Sequence, residues 1–424
     1  MGTLSTHRQA VYPWIICASC TLLIFFSIGM CGNTMSVHFP FMAQEKGFNN
    51  AQLSAITTIR CAGAFVSMGL LPRLTRRFPL RSLILATCLL IAASFVLMSG
   101  ADRLLTLYIA AAGTGLAYGL GSMVLVSVLV RNWFTSREGL ALSICACGSG
   151  LASMAASPLI TVAIERSGLA SAFRLEAAAA VLAGLLMFLL VRDHPARLGL
   201  RPYGDGKRTQ PDKTQADKPQ ADRPASTVRM SRRHQQLMIA AMLATGPLNI
   251  ASFSFYTLQF AGCGYSPMTI AAGLSMLGLL LTVSKLIYGW CNDRFGVYAC
   301  NWLFLSISLL GNLLVALAPL FPPGAMIFVS LALTAIGYPP MMIGMSLWAR
   351  DLCPPEDYTK KVALYQQLSM AGGMVGTLLG GFSADLTGNY TLAYIGCAAL
   401  LLFTLLSVQY LYRYYGRSRK IRPA

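Results

Sequence analysis

Lys285 is the residue in this chain whose type and position most need a chemical explanation. It stands in "LTVSKLIYGWCNDRFG", residues 281–296, among Leu, Val, Ile and Tyr. Placing an ammonium at the centre of a lipid-spanning helix costs about 2.5–3.5 kcal/mol, so such a residue marks a function by default. Two readings are open. Lys285 lies four residues before Gly289, about 6 Å from that helix end, and its stem can snorkel to the interface. Alternatively it is the counter-charge for an anionic guest, since the run around it holds no Asp or Glu. Arg60 is the second such cation. It lies nine residues before Gly69, about 13 Å from the helix end. It either packs against helix carbonyls or supplies a second positive charge.

Other chemistry is poorly represented. The chain has four His, of which His7, His194 and His234 fall outside the apolar runs. Metal-ligand spacing, a nucleophile–base pair and a phosphate loop are not legible, so neither enzymatic activity nor a cofactor or metal is expected. Nearly all of the twelve Cys sit in apolar runs, where Cys acts as a small hydrophobe. Cys17 and Cys20 form a CxxC on one helix face, without the context of a redox or metal site. Asn389-Tyr-Thr391 fits a glycosylation sequon but lies almost against the membrane, and is read as chance.

The elements that must hold these cations are membrane spans. The 424 residues are 55% hydrophobic and 11% charged, against about 25% charged in a soluble protein. Twelve apolar runs are each long enough to cross a bilayer: approximately 13–39, 50–71, 80–100, 103–130, 138–163, 170–191, 236–260, 267–290, 297–319, 322–348, 361–385 and 390–412. The first is not expected to be a cleaved signal peptide, because it lacks a small-residue cleavage site. With the N-terminus placed in the cytoplasm, 27 of the 33 Lys and Arg fall on the cytoplasmic side and four on the other, leaving Arg60 and Lys285 inside spans. Without the long central segment the balance is still 16 to 4. The net charge of +18 is therefore a topology signal with both termini cytoplasmic, and its partner is anionic lipid rather than nucleic acid.

Residues 193–235 alternate Asp with Lys or Arg and repeat Pro, Gln and Ala. They cannot bury enough apolar area to fold and read as a disordered cytoplasmic linker. The linker divides the chain into an N-terminal six-helix half, 1–192, and a C-terminal one, 236–412, followed by a basic tail, 413–424. The halves echo each other. "GLLPRLTRRFPLR" follows the second span and "GWCNDRFGVYACN" the eighth, 220 residues apart. Internal repeats with a site at their junction characterise secondary transporters.

This organisation, with G-x-x-x-D-R-x-G as Gly289, Asp293, Arg294 and Gly296, resembles the major facilitator superfamily. The first-half copy keeps Gly69 but has Arg73 where that family usually has Asp. The implied fold is all-α, twelve transmembrane helices in two six-helix halves, and the two turns are gating elements. "RNWFTSREGLALSICACGSGLASMAASPLI", 131–160, is similar to a signature of monocarboxylate transporters and bacterial oxalate:formate antiporters. The match rests on Trp133-Phe134, Arg137, Leu140-Ala141, Gly148, Gly150 and Pro158, and "HPARLGLRPYGDG" looks like the same branch.

That resemblance implies alternating access by rocking halves, with a small organic anion, a mono- or dicarboxylate, as substrate. Protons or a counter-anion would be the coupled species. Lys285 occupies the position of the branch's basic residue in the eighth helix, four before the glycine, where Arg is usual. Leu281 stands where monocarboxylate transporters carry Asp, and Leu368 where the oxalate antiporter has a second cation. First, fourth, seventh and tenth helices line the cavity in the superfamily. Further substrate-site candidates are thus Tyr118, Asn33, His38, Asn249, Tyr256 and Tyr338, with Gln366 on the eleventh helix. The expected protein is a monomeric, multi-pass protein of the plasma membrane, in the bacterial inner membrane. Three other readings stay open: a drug exporter, a neutral-solute porter and a substrate-sensing receptor of the same fold.

Overall fold

A computed structural model describes residues 2–48, 50–204, 230–250, 255–256, 259–260 and 262–417. Their regular structure is helical apart from an isolated bridge between Phe134 and Tyr203. In hydrocarbon only a helix satisfies all backbone polar groups within one segment, which is why runs so poor in charge adopt it. In the first half the helices are α1 (Gly2–Ile24), α2 (Met35–Lys46), α3 (Asn50–Arg77), α4 (Leu80–Ser99), α5 (Leu104–Leu120), α6 (Met123–Trp133), α7 (Glu138–Leu151), α8 (Ser157–Ser167) and α9 (Leu169–Leu190). The second half has α10 (Arg232–Asn249), α11 (Pro267–Leu317), α12 (Met326–Gly337), α13 (Met345–Leu352), α14 (Tyr358–Thr387) and α15 (Thr391–Arg417).

Among the described residues nine stretches are long and apolar enough to cross a membrane. One of them, Ala272–Leu320, covers most of the eighth expected span and all of the ninth. The chain reverses inside it at Gly296, where φ is 80° and ψ 160°, a backbone that only glycine adopts without strain. The eleventh expected span lies within α14, whose 30 residues suffice in length but include Lys361, Gln366, Gln367 and Asp385. The seventh falls partly outside the described residues. Leu175, Leu182 and Leu189 recur every seven residues on α9 and are 63%, 69% and 68% exposed, a stripe suited to lipid.

Four spans are interrupted near mid-membrane. The first widens into a π-type turn at Phe25–Asn33, and the fifth does so at Ala152–Ala156. The fourth breaks at Gly121 and Ser122, whose Oγ accepts from the Val124 amide. The tenth loosens at Pro340–Gly344. Irregular backbone at this depth is tolerated where it is buried in protein or lines a cavity. The halves meet along two helix pairs, α7 with α11 and α3 with α14.

The expected disordered linker is ordered at both ends. Asp193 accepts from the Arg81 amide at the start of α4, and the carbonyls of Arg192 and Asp193 accept from Trp133 Nε1 and Asn132 Nδ2. Tyr203 lies beside the 133–136 turn, its amide donating to Trp133 and its carbonyl accepting from Thr135 and Ser136. Met230 is buried, and Ser231 caps α10. Polar residues at 193–204 thus serve as local caps and straps, which composition alone does not reveal. The rest of that segment, 205–229, and the end of the basic tail, 418–424, lie outside the described residues.

Candidate functional site

Lys285 is 3% exposed. Its ammonium turns away from its own half and crosses to α7, donating to the Ala146 carbonyl and to Ser149 Oγ, each at 3.2 Å. Local sequence explains the direction. Thr282, Lys285 and Gly289 fall three and four apart on one face of α11. That face meets the small residues of α7: Thr282 lies on Gly150, and Gly289 lies on Ser143 and the Gly139 carbonyl. A Cβ on Gly289 would collide with that backbone, so the close approach that delivers the ammonium to α7 needs glycine there. Two of the three ammonium N–H groups thus find neutral acceptors. No ion pair involving Lys285 exists among the described residues.

From Lys285 a belt of polar groups continues through the first half. The Ser149 carbonyl and Ser153 Oγ each accept from Asn33 Nδ2 at 3.1 Å. The carbonyls of Gly32 and Cys31, freed by the wide turn of the first span, accept from Arg60 Nη1 at 3.2 and 2.7 Å. Tyr118 packs its ring against Gly32. Tyr338 lies within electrostatic range of Tyr118 and Tyr256, so the fourth, seventh and tenth spans converge on this region. Tyr256 is fully buried and stacks on Tyr394 at 5.7 Å. The structure thus joins Lys285, Asn33, Arg60 and Tyr118 in one belt, with Tyr338 and Tyr256 alongside.

Other candidates stand apart from it. Asn249 donates to Ser369 Oγ at 2.8 Å, between α10 and α14. Gln366 is half-buried on α14, while its neighbour Gln367 donates across the halves to the Phe65 carbonyl at 2.8 Å. His38 sits inside the first half, paired with Glu176. Ser149 and Glu176 are functional candidates that the structure adds. Glu176 carries a legible signal, a carboxylate within the sixth apolar run; Ser149 is one of many small residues in the fifth and becomes visible only once α11 is docked.

The polar turns lie at the end of the bundle that carries both termini. Asp293 places its two carboxylate oxygens on the first free amides of α7, accepting from Gly139 at 3.0 Å and Leu140 at 2.9 Å. An anion there complements unsatisfied N–H groups and the positive end of the helix dipole. Beside it Glu138, buried in the first half, meets Arg350 of the second at 3.4 Å, and Asp351 and Tyr412 extend the network. Arg137, which precedes α7, is held left-handed at φ 58°. Arg294 is exposed and lies over Trp290 and Phe295. In the first-half counterpart Gly69 faces Gln367, and Arg73 is exposed.

The family profile described as Major Facilitator Superfamily matches residues 20–321 and 237–424. Monocarboxylate transporter 3 of Rattus norvegicus is 30% identical over 183 residues, 41% of this chain and 36% of the relative, so the match spans about a third of that protein's length. Monocarboxylate transporter 13 of Bos taurus is 25% identical over 344 residues, 78% of this chain and 73% of the relative. Among solved structures, the proton:xylose symporter XylE bound to 6-bromo-6-deoxy-D-glucose superposes with a TM-score of 0.68 at 14% identity, covering 95% of this chain and 96% of that one.

Proposed function

The chain belongs to the major facilitator superfamily and is a multi-pass membrane transporter, and from that premise we propose that its substrate is a small organic anion, a mono- or dicarboxylate. The observation that carries this reading is the Lys285 ammonium, buried at the junction of the halves and bonded, among the described residues, to neutral oxygens. A carboxylate entering beside it would supply the missing negative charge, and the desolvated pair would be far stronger than one in water. The identity of the monocarboxylate transporter relatives supports the same class of cargo. Arg60, at the other end of the belt, is the second cation, and Tyr118 and Asn33 offer hydrogen bonds between them.

No nucleotide is needed for such a carrier; a gradient drives it, as proton symport or anion exchange. Binding at the junction favours a state in which both halves close on the anion. Opening the face that carries the termini then requires Asp293 to leave the start of α7 and Arg350 to leave Glu138, after which the anion departs. The stability of these contacts sets how readily that face opens.

The test is a thermal-shift screen of purified protein against formate, acetate, pyruvate, L-lactate, oxalate and succinate, with glucose and xylose as neutral controls. Stabilisation by one or more acids, lost in Lys285→Gln, is the expected result. A wild-type shift with sugars alone would replace the anion reading by that of a neutral-solute porter. Uptake of the stabilising acid into proteoliposomes then separates a carrier from a receptor, which binds without flux.

A further inference from the structure

His38 and Glu176 form a buried acid–base couple that takes no part in the belt. His38 Nε2 lies 2.8 Å from Glu176 Oε1, with side chains 0% and 6% exposed. The imidazole stacks on Phe173, centroids 4.4 Å apart and planes within 11°, and Phe95 packs behind. Among the described residues each partner leaves one polar atom buried without a hydrogen bond, Nδ1 on the histidine and Oε2 on the glutamate. Each of these atoms is a buried lone pair to which a proton can be added.

The charged surroundings are sparse. On the wide turn of the first span the Cys31 thiol lies within electrostatic range of Glu176, Cys88 of α4 and Arg60 of α3. Arg60 is bonded to the Cys31 carbonyl. On the remaining helices packed around the pair, Glu45, Glu165, Arg166 and Arg174 are exposed, and Lys46 is paired with Asp102. Arg60 and the couple thus lie on either side of Cys31 in the wide turn of the first span, and Arg60 is also a member of the belt.

We propose that the His38–Glu176 pair is a proton-binding site, loaded with one proton for each organic anion admitted at Arg60 and Lys285. This inference rests on the anion reading. In the unloaded pair a neutral imidazole donates Nε2–H to the carboxylate, leaving one net negative charge in the protein interior. The incoming proton attaches to Nδ1, or equivalently to Oε2, and the pair becomes neutral; the same proton leaves from the same atom. A buried site favours the neutral pair. While the pair is unloaded its charge offsets Arg60. Once it is loaded, the field of Arg60 acts on the anion instead. Proton and anion therefore strengthen each other's binding, and by linkage the effect is reciprocal. The route differs from one through the eighth helix, where Leu281 has no proton to carry.

The experiment is calorimetric titration of the full-length protein with the acid from the panel above that stabilises it most. It is done in two buffers of different ionisation enthalpy and repeated from pH 5.5 to 8. About one proton should be taken up per anion, with affinity rising on the order of tenfold per unit fall in pH. In His38→Gln, in Glu176→Gln and in the double variant, proton uptake should vanish and the pH profile flatten while binding persists. The double variant keeps an amide–amide hydrogen bond and guards against simple misfolding. Proton uptake that survives in all three overturns the proposal, as does anion binding by wild type without proton uptake. A second arm needs no acid: infrared difference spectra on acidification should show a carboxyl C=O band that Glu176→Gln removes or an imidazolium ring band that His38→Gln removes. Absence of both bands in wild type overturns the proton site. Either band, present in a protein that no acid in the panel stabilises, overturns the anion reading instead.

Discussion

The turns after the second and eighth spans occupy equivalent places in the two halves, yet they hold the opposite half by different means. Both begin with a glycine against the partner half: Gly289 on Ser143 and the Gly139 carbonyl, Gly69 on Gln367. Four residues later they diverge. Asp293 accepts two amide hydrogen bonds at the start of α7. Arg73 is exposed, and the start of α14 has no side-chain cap. There the first half reaches α14 through Arg131, whose guanidinium lies 4.5 Å from the Tyr358 ring centroid. Shape is preserved between the two turns while charge is not. The first-half turn therefore docks by close approach together with the Gln367 and Arg131 contacts, and a carboxylate latch is added on the other side only.

The comparison can be broken at its strong side. Asp293→Asn removes the charge from two charge-assisted hydrogen bonds, which should weaken the latch by about 1.5–3 kcal/mol. Hydrogen exchange at the Gly139 and Leu140 amides should then accelerate on the order of 10–100-fold, with little change at the start of α14. Gly289→Ala should come next. Its methyl meets backbone as well as a side chain, and overpacking of this kind costs about 1–3 kcal/mol. The expected readout is faster exchange along α7 together with weaker acid binding, because Lys285 is carried on the same helix face. At the weak side Arg73→Asp sharpens the comparison. A carboxylate near the start of α14 should slow exchange at Tyr358–Lys361 by the roughly 0.3–1 kcal/mol of a charge–dipole contact. Arg73→Ala, at an exposed position without a latch, should leave exchange and binding within about twofold of wild type.

Much of this was legible before any coordinates. Low charge density and the lengths of the apolar runs point to the spans. The repeated turn marks the two equivalent places where the halves touch, and Arg73 already signals that one of them differs. What the sequence withholds is partnership. Lys285 is conspicuous in its run, but its acceptors are a carbonyl and a serine on a helix more than 130 residues away. His38 and Glu176 sit 138 residues apart and become one site only when the first and sixth spans pack together. Residues 193–204 have the composition of a tether, yet Asp193 and Tyr203 find backbone groups to satisfy at the foot of the first half. In each case the deciding contact is long-range, and local periodicity carries no record of it.

The central claim is that the ammonium between the halves is reserved for a negatively charged guest. It is tested most directly by calorimetric binding of the best acid from the panel to wild type and to Lys285→Gln, at one pH and with matched folding controls. Loss of a charged, desolvated partner should weaken binding by on the order of 30-fold or more. Equal affinity in the two proteins would contradict the claim.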